Sequence, residues 1–490
     1  MSDIVQKLWG YCHTLRHDGV GYTEYVEQLT YLLFLKMANE RAIELPRGCD
    51  WPALRDQVGT EVLDSYVDML RKLGKQPGIL GDIFAEAQSR FTKPTSLKRL
   101  INLIDEVEWT ALNVDVKAAA YEGLLEKAAS EGKKGAGQLF TPRVLIQSIV
   151  HCVQPDPRAA RDFTICDPAC GTGGFLVSAY EWLIGQSAGG AMDRTVAKRV
   201  KASTYFGQDI GATPRRLALM NLHLHGIEPH ITHGDTIYDP PTSDRFTIIL
   251  TNPPFGTKGA GQAPTREDFT IETSNKQLNF LQHVLTTLKS GGRAAVVLPD
   301  NCLFADKAGE VMKIVTEECD LHTVLRLPRG TFTPYCQGVK ANVVFFTKGA
   351  PSETTWIYDA RTNVPGITKK DRPLTPQHFA EFERCYGVDP NGRFGPKHGK
   401  PRRESDSPVG DKGWLGGDRW RRFSINEVKA RDFKLDGFKW LKDDSLDDAD
   451  DLPEPAELVT DAVTELEGAI GDLNAVLTLL DNGNGVERAK

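Results

Sequence analysis

The stretch "FTIILTNPPF", Phe246 to Phe255, joins an apolar run to a rigid polar turn. Its first five residues have the length and β-branched content of a buried strand. The two prolines that follow cannot donate backbone hydrogen bonds, so the strand must end there. Asn252 and Phe255 are thereby placed at the carboxyl end of a strand, where open α/β sheets bind ligands. Taken alone, the stretch is equally consistent with a strand followed by a plain rigid loop.

Apolar runs and helical segments alternate on both sides of this stretch. Strands separated by helices of ten or more residues predict a parallel, doubly wound α/β sheet. The last run follows the sixth after a loop alone, which predicts one late antiparallel strand. The seven predicted strands are "FTIC", "STYFGQ", "ITHG", "FTIIL", "RAAVVLP", "LHTVLRL" and "NVVFFT".

The first part of the chain has a helical pattern. Tyr22 to Ala42 contains no Gly or Pro and carries apolar residues at helical spacing. A second amphipathic helix is predicted over Pro94 to Trp109, with Ser96 as its N-cap. Signals weaken after Lys348, where Gly392 to Pro408 predicts an exposed basic loop. We therefore predict a helical domain over 1–130, the sheet domain over 131–350, its extension with the basic loop over 351–450, and a helical tail over 451–490.

The predicted tail helix follows the acidic run "DDSLDDADD" and has a 3.5-residue apolar repeat, typical of a coiled-coil seam. One interpretation is a helix packed on its own chain, and the other is a projecting helix that binds a partner. The acidic lead-in favours the second interpretation. The seam residues are Val459, Val463, Leu466, Ile470, Leu473, Leu477 and Leu480.

Bulk composition limits the class of protein. The chain has 490 residues with 40% hydrophobic and 26% charged residues, as in soluble globular proteins. No apolar run reaches the ~18 residues of a membrane helix, and the amino terminus lacks a signal-peptide pattern, so we expect a cytoplasmic protein without membrane contact. Nine cysteines favour reduced thiols, and their spacing does not predict zinc or another metal. Because the net charge is -7, any grip on DNA must come from a local patch or a partner.

The segment "DPACGTGGFL", Asp167 to Leu176, directly follows the first predicted strand. Its glycines allow a tight turn and close approach of a ligand to the backbone. It matches neither a dinucleotide fingerprint nor a phosphate-binding lysine loop. The next two strands end in Asp209 and Asp235, which could accept ribose hydroxyls and an adenine amine, with Ile210 against the ring. Each acid alone is more often a solvated loop residue, but three acidic strand ends converge here beside Asn-Pro-Pro-Phe.

Together these motifs resemble the amino-group DNA methyltransferases that use S-adenosylmethionine. The resemblance rests on Asp-Pro-Ala-Cys-Gly-Thr-Gly-Gly-Phe at 167–175 followed by Asn-Pro-Pro-Phe at 252–255. "GQLFTPR" at 137–143 resembles the extra cofactor motif of the adenine-N6 members in the gamma motif order. The helical amino-terminal segment, "LPRGTFTPYCQGVKANVVFF" and "RDFKLDGFKW" resemble the modification subunit of type I restriction-modification systems.

The resemblance implies a seven-stranded, Rossmann-like, S-adenosylmethionine-dependent methyltransferase domain. It implies that Asn252 and the Pro253 carbonyl accept the adenine amino hydrogens, and that Phe255 stacks on a flipped-out base. The family often has Glu in place of Asp209, the expected ribose ligand. The implied cofactor-binding residues are Gln138, Phe140, Thr141, Pro142, Asp167, Pro168, Gly171, Thr172, Gly173, Gly174, Phe175, Asp209, Ile210, Asp235 and Thr236, and the implied catalytic residues are Asn252, Pro253, Pro254 and Phe255.

The resemblance also implies partners. These are double-stranded DNA, a separate specificity subunit that reads the target sequence, a second copy of this chain and, in some systems, a translocating restriction subunit. Alternatives are N4-cytosine methylation, methylation of release-factor glutamine or ribosomal guanine, and a catalytically silent scaffold subunit. Candidates for phosphate contact are Lys133, Lys134, Arg402 and Arg403.

Overall fold

A computed structural model describes residues 10–11, 22–109, 141–186, 192–255, 263–304, 307–333, 338–368, 371–407 and 418–442. The chain divides into two compact units, Met1–Lys439 and Trp440–Lys490. The helices and strands described below all lie in the first unit. Within the described ranges, no helix is long and apolar enough to cross a membrane.

The amino-terminal region is helical, as predicted. Leu29, Leu33 and Met37 are buried on one helix face. The predicted N-cap at Ser96 is wrong, because the helix begins at Pro94 with Lys93 as its N-cap. Pro94 then occupies the first turn, where its fixed φ suits a helix and its missing N–H costs nothing. The five helices are α1 (Tyr22–Glu40), α2 (Trp51–Arg55), α3 (Glu61–Gly74), α4 (Ile79–Ile83) and α5 (Pro94–Asp105).

The rest of the unit is an α/β sheet domain, which confirms the predicted fold class. Its strands are β1 (Ile165–Asp167), β2 (Tyr205–Asp209), β3 (His230–His233), β4 (Phe246–Thr251), β5 (Leu288–Pro299), β6 (Cys319–Arg326), β7 (Ala341–Lys348), β8 (Thr354–Asp359) and β9 (Trp420–Ser424). Its helices are α6 (Arg143–Val153), α7 (Gly174–Gln186), α8 (Arg194–Ser203), α9 (Ala212–Leu224), α10 (Lys276–Thr287), α11 (Ala308–Glu318), α12 (Gln377–Tyr386) and α13 (Ile425–Lys429).

The strand order is β3-β2-β1-β4-β5-β7-β6-β8-β9. β1 pairs in parallel with both β2 and β4, so the chain winds outward in both directions from the centre of the sheet. β7 is antiparallel to both β5 and β6, as predicted for the last of the seven strands. The carboxyl ends of β1 to β5 therefore share one edge, and the beginning of β7 lies at that same edge.

Two strands beyond the predicted seven come from the carboxyl-terminal extension. β8 pairs with β6 in parallel and β9 pairs with β8 antiparallel. Polar residues in "WRRFS" concealed β9, but Trp420 is fully buried and stacks on Trp356 with 5.0 Å between the rings. Tertiary packing thus outweighs the local pattern.

Arg402 in the predicted basic loop is a structural residue. Its side chain is buried, lies 4.6 Å from the Tyr386 ring, and donates to the Thr323 hydroxyl at 2.7 Å. The expectation that Arg402 could contact phosphate is therefore wrong, whereas Arg403 is exposed. A cation buried between aromatic rings loses its water, and the ring face and hydroxyl replace part of that hydration.

The amino-terminal helices are fixed to α9, which follows β2. The Phe34 ring on α1 stacks on His223 of α9 with 6.0 Å between centroids. Arg216 forms an ion pair with Glu27 of α1 and donates to the Ala85 carbonyl at 2.9 Å. The helical region is thereby anchored to a helix that starts just after the carboxyl end of β2.

Candidate active site

The glycine loop connects β1 to α7. Gly171 and Gly173 have φ values of +52° and +81°, the left-handed region that favours glycine. A Cβ on Gly171 would meet nothing within 4 Å, so the space on that side of the loop is open. A Cβ on Gly174 would lie 3.0 Å from Ile146 Cδ1, so a side chain there would crowd α6. The loop therefore combines a tight turn with room for a ligand.

Asp209 fastens this loop to the end of β2. Its Oδ2 accepts from the Gly171 amide at 2.9 Å, and its Oδ1 accepts from the Gly211 amide at 2.7 Å. Burial raises the pKa of Asp209, while the two amides and the nearby His233 oppose that rise. Both carboxylate oxygens thus serve the backbone before any ligand is present.

Asp167 at the end of β1 is almost completely buried. It accepts from the Ala169 amide at 3.1 Å. Burial raises its pKa to about 7, the neighbouring Asp209 charge adds to the rise, and the Thr251 hydroxyl and Ala169 amide oppose it. A carboxyl group with this pKa changes its charge near neutral pH and responds strongly to a nearby cation.

The loop after β3 is tied to the same region. Asp235 Oδ1 accepts from the Ile237 and Tyr238 amides at 2.9 and 3.1 Å. The buried Thr236 hydroxyl donates to the Pro168 carbonyl at 2.6 Å, linking the β3 loop to the glycine loop. Ile210, directly after Asp209, is 63% exposed. The predicted ring-packing residue is thus available to a ligand at this edge.

Arg266 is a supporting residue that the sequence analysis missed. It is buried, donates to the Thr236 carbonyl at 2.7 Å, and forms an ion pair with Asp268. Its other neighbour is His283 on α10, whose pKa is lowered to about 3 by burial and by the Arg266 charge. No sequence pattern distinguished this arginine from others in a glycine-rich, charged stretch.

Asn252 follows β4 and is the central polar residue of the site. Its Nδ2 donates to the Thr141 hydroxyl at 2.9 Å, which fixes the orientation of the amide. Its Oδ1 is buried and has no hydrogen-bond partner among the described residues. Such atoms are rare in folded proteins because an unpaired buried acceptor costs ~1–3 kcal/mol. Among the described residues, the geometry therefore leaves one acceptor ready for a further donor, such as a ligand would bring.

The remaining residues of the Asn-Pro-Pro-Phe motif are held from two directions. The Pro254 carbonyl accepts from Gln277 Nε2 at 2.8 Å, so α10 fixes the loop behind Pro253. Phe255 is nearly buried and meets Phe332 edge to face with 5.4 Å between ring centroids. Phe332 lies in the "LPRGTF" segment, where no local sequence pattern predicts a role for this ring.

Thr141 owes its position to the start of α6. Pro142 is the N-cap, and Arg143 donates to Glu181 of α7 at 2.7 Å. The His225 Nε2 lies 3.6 Å from the same carboxylate. This cluster joins three helices directly behind Thr141, so the hydroxyl that orients Asn252 rests on a braced helix end.

Two further residues that were predicted to bind the cofactor make contacts within the chain that stabilise the fold. The Thr172 carbonyl accepts from Asn221 of α9 at 3.3 Å, and Phe175 is buried in the core. Several other predictions concern residues outside the described ranges: Gln138, Phe140, Lys133, Lys134 and the heptad helix. Their expected roles stay predictions.

The described groups meet because their strands are neighbours. Ile165 of β1 lies opposite Ile248 of β4, and Cys166 of β1 lies opposite Phe206 of β2. The carboxylates at the ends of β1 to β3 thus form one half of the edge, which we call the acidic half. Asn252, Phe255 and Phe332 form the other, which we call the amide half. This arrangement can hold a polar ligand beside a group that donates to Asn252.

Comparisons with known proteins agree with this geometry. Residues 113–447 match the family model for N-6 DNA methylases, and residues 4–107 match the model for the HsdM N-terminal domain. The StySPI type I restriction enzyme methylase subunit of Salmonella potsdam is 39% identical, over 99% of this chain and 96% of its own length. The EcoKI methylase subunit of Escherichia coli K12 is also 39% identical, over 97% of this chain and 95% of its own length.

Solved structures show the same relationship. The EcoKI M protein has a TM-score of 0.53 at 35% identity, with 98% of this chain and 96% of that chain covered. A chain from a type I restriction-modification system has a TM-score of 0.68 at 26% identity, with 98% and 99% covered. Since the relatives match over nearly their whole length, this chain belongs to the N-6 DNA methylase family and, within it, to the methylase subunits of type I restriction enzymes.

Proposed function

We propose that this chain transfers a methyl group from S-adenosylmethionine to the exocyclic N6 of an adenine flipped out of double-stranded DNA, at the junction of the acidic and amide halves. The observation that carries the proposal is the buried Oδ1 of Asn252, which has no partner among the described residues and belongs to an amide that Thr141 holds in place. An adenine amino group is a donor that would satisfy this acceptor. The full-length similarity to N-6 DNA methylase subunits supports the same chemistry.

The acidic half fits S-adenosylmethionine. The open side of Gly171 leaves room for a ligand at the glycine loop, and the near-neutral pKa of Asp167 would fall beside the cationic methionine group. Ile210 offers an exposed apolar face for the adenine ring of the cofactor, and the Asp235 carboxylate lies after the adjacent strand. When bound, this cofactor supplies an electrophilic methyl group. Asp209 acts mainly by holding Gly171, and its carboxylate would also accept from the ribose hydroxyls of the cofactor.

The amide half orients the nucleophile. The N6 lone pair is delocalised into the adenine ring, so the nitrogen is a weak nucleophile. Asn252 Oδ1 and the Pro253 carbonyl accept its two hydrogens and favour a geometry in which the lone pair points at the methyl carbon. As N6 forms its bond to carbon, the carbon–sulfur bond breaks, and the surplus N6 proton then leaves to water. Preoriented acceptors lower the barrier most where positive charge develops.

Phe255 and Phe332 form the aromatic wall of this half. A base within a duplex is inaccessible to Asn252, so the adenine must be flipped out and held by stacking. The edge-to-face pair presents a braced ring beside Asn252, because Phe332 is itself buried. The rings therefore position the base rather than react with it.

A direct test uses the chain purified with its specificity subunit, labelled S-adenosylmethionine and DNA, followed by digestion to nucleosides. We expect the label in N6-methyl-2′-deoxyadenosine alone. Label in N4-methyl-2′-deoxycytidine would contradict the adenine assignment. Cofactor binding without any DNA methylation would favour a silent scaffold subunit.

The assembly is part of the same proposal. Known relatives are subunits of type I restriction enzymes, so we place this chain with a specificity subunit, a second copy of itself and, where present, a restriction subunit. We propose that the predicted heptad helix at 451–490 is the segment of this chain that binds the specificity subunit. Deleting 455–490 should abolish co-purification with that subunit while leaving S-adenosylmethionine binding intact. Unchanged assembly would contradict this assignment.

A further inference from the structure

Phe304 is a large apolar side chain exposed at the catalytic edge of the sheet. It follows β5 and is 47% exposed. β5 lies beside β4, with Val296 opposite Thr251, so the chain that continues β5 runs past Asn252. At ~3.4 Å per residue, the end of β5 lies only a few residues beyond the catalytic amide. Exposing an aromatic ring to water is unfavourable in free energy, and a ligand that covers the ring would remove this penalty.

The ring stands on a fixed turn. Asp300 to Leu303 form a 3-10 turn in which Cys302 and Leu303 are buried. The Asp300 amide donates to the Lys340 carbonyl at 2.8 Å, and the Phe304 amide donates to the Asn301 carbonyl at 3.3 Å. The backbone around Phe304 is therefore held by the start of β7 and by its own turn.

The "RDFKLDGFKW" segment braces this turn from the other side. The Leu435 amide donates to the Leu303 carbonyl at 3.3 Å. Arg326 at the end of β6 donates to the Leu435 and Asp436 carbonyls, each at 3.4 Å. A segment more than 120 residues further along the chain thus supports the turn that carries Phe304.

An exposed cation bonded to the same turn points to the kind of ligand. Lys340 is exposed, and its backbone carbonyl accepts from the amide of Asp300, the first residue of the turn that leads to Phe304. An aromatic ring and a cation held by one turn can bind nucleic acid, since the ring stacks on a base and the cation neutralises phosphate. We propose that Phe304 stacks on a DNA base next to the flipped adenine, with Lys340 on the neighbouring phosphate. This proposal rests on the proposed DNA adenine methylation.

Stacking by Phe304 would replace the stacking that the DNA loses when adenine leaves the duplex. The effect of removing the ring should therefore depend on how firmly the target adenine is paired. Loss of one aromatic–base stack typically weakens binding roughly 10- to 100-fold. Val388 offers a matched control, because its exposure is similar at 43% but it lies far from the site. Its carbonyl accepts from Gln154, and the Gln154 carbonyl accepts from Arg293, which lies towards the opposite end of β5.

The test uses the complex with its specificity subunit and duplexes that carry its mapped recognition site. Phe304→Ala should slow single-turnover methylation roughly 10- to 100-fold. Phe304→Trp should restore most of the rate, and Val388→Ala should match wild type. With an abasic site opposite the target adenine, the loss for Phe304→Ala should shrink to a few-fold. All variants should bind S-adenosylmethionine as wild type does, and Lys340→Ala should reduce the salt slope of DNA binding by about 0.9.

A wild-type rate for Phe304→Ala, or an equal loss on both duplexes, would overturn the proposal. Failure of the underlying function would appear differently, as absence of adenine methylation by the wild-type complex itself.

Discussion

The two halves of the sheet edge differ in how their polar groups are satisfied. In the acidic half, Asp209 accepts from the Gly171 and Gly211 amides, and Asp235 accepts from two amides of its own loop. In the amide half, Asn252 Oδ1 is buried and has no hydrogen-bond partner in the part of the chain that the structure describes. The acceptors of the acidic half are bonded to the backbone of its own loops and hold those loops in shape. The acceptor of the amide half is available to a substrate, as a site needs if it acts on a donor group of that substrate.

This difference predicts which substitutions damage binding and which damage chemistry. A change in the acidic half should loosen the loops and weaken cofactor affinity. A change at Asn252 should leave cofactor affinity intact and lower the methylation rate, since the Asn252 amide contributes mainly when the amino nitrogen becomes positive.

The largest effect should come from Asn252→Ala. Removing one preoriented polar group from a reaction centre typically costs ~10²–10³ in rate, so we expect a loss of about 10³ in single-turnover methylation. The Kd for S-adenosylmethionine, measured by calorimetry, should change by less than a few-fold. A parallel loss of cofactor binding would break the division between the halves.

Asp209→Asn should act in the opposite way. The two amides contact different carboxylate oxygens, so an asparagine must leave one of them facing an NH2 group. Losing a charge-assisted hydrogen bond of ~1.5–3 kcal/mol predicts a Kd for S-adenosylmethionine that is roughly 10- to 100-fold weaker. Asp193→Asn is the matched control, because one Asp193 oxygen accepts both of its amides and an asparagine retains it. Equal effects at the two positions would contradict the role of Asp209 in holding Gly171.

Thr141→Val sharpens the comparison by loosening Asn252 without removing it. The valine has nearly the same shape but cannot accept from Asn252 Nδ2, so the amide loses its fixed orientation. A lost hydrogen bond of ~1 kcal/mol, with some misorientation, predicts a rate about 10-fold lower at unchanged cofactor affinity. Thr316→Val is the control, since that buried hydroxyl donates within α11, to the Lys313 carbonyl, and has no other described partner. A rate equal to wild type for Thr141→Val would show that Thr141 is not needed to orient the amide.

Asp167 predicts a smaller effect that depends on pH. Its pKa in the folded protein is raised from 3.8 to about 7, so the folded chain binds more protons than the unfolded chain between these values. Stability without cofactor should therefore fall as pH rises from 4 to 7, by at most about 1.4 kcal/mol per pH unit from this group. Urea unfolding midpoints measured across that range should show less fall for Asp167→Asn than for wild type. The exposed Asp162, changed to Asn, should leave the trend unchanged, and the same slope in all three proteins would count against a buried, protonated Asp167.

The sequence allowed prediction of the regions where a local pattern coincides with a tertiary role. Apolar runs bounded by Gly and Pro identified the first seven strands, and acidic strand ends identified the acidic half. β9 was missed because "WRRFS" has two arginines and is a strand only through Trp420 and its partner Trp356. Arg402 looked exposed because its neighbours are polar, but the rings that cover it come from distant positions.

Supporting residues of the site were the hardest to predict. Thr141 and Asn252 are 111 positions apart, and no local pattern shows that one orients the other. Arg266 and Phe332 likewise act through contacts with distant chain segments. Sequence patterns indicate which groups can do chemistry, whereas the contacts that hold those groups depend on the folded sheet.

The measurement that tests the account most directly is long-read sequencing of DNA from cells that express this chain with its specificity subunit, scored for modified bases. Wild type and Thr316→Val should both give N6-methyladenine at one split recognition motif. Asn252→Ala should leave that motif largely unmethylated, although the complex assembles and binds S-adenosylmethionine. Methyladenine at the wild-type level in Asn252→Ala, or methylcytosine in the wild type, would contradict the central role of the Asn252 amide oxygen.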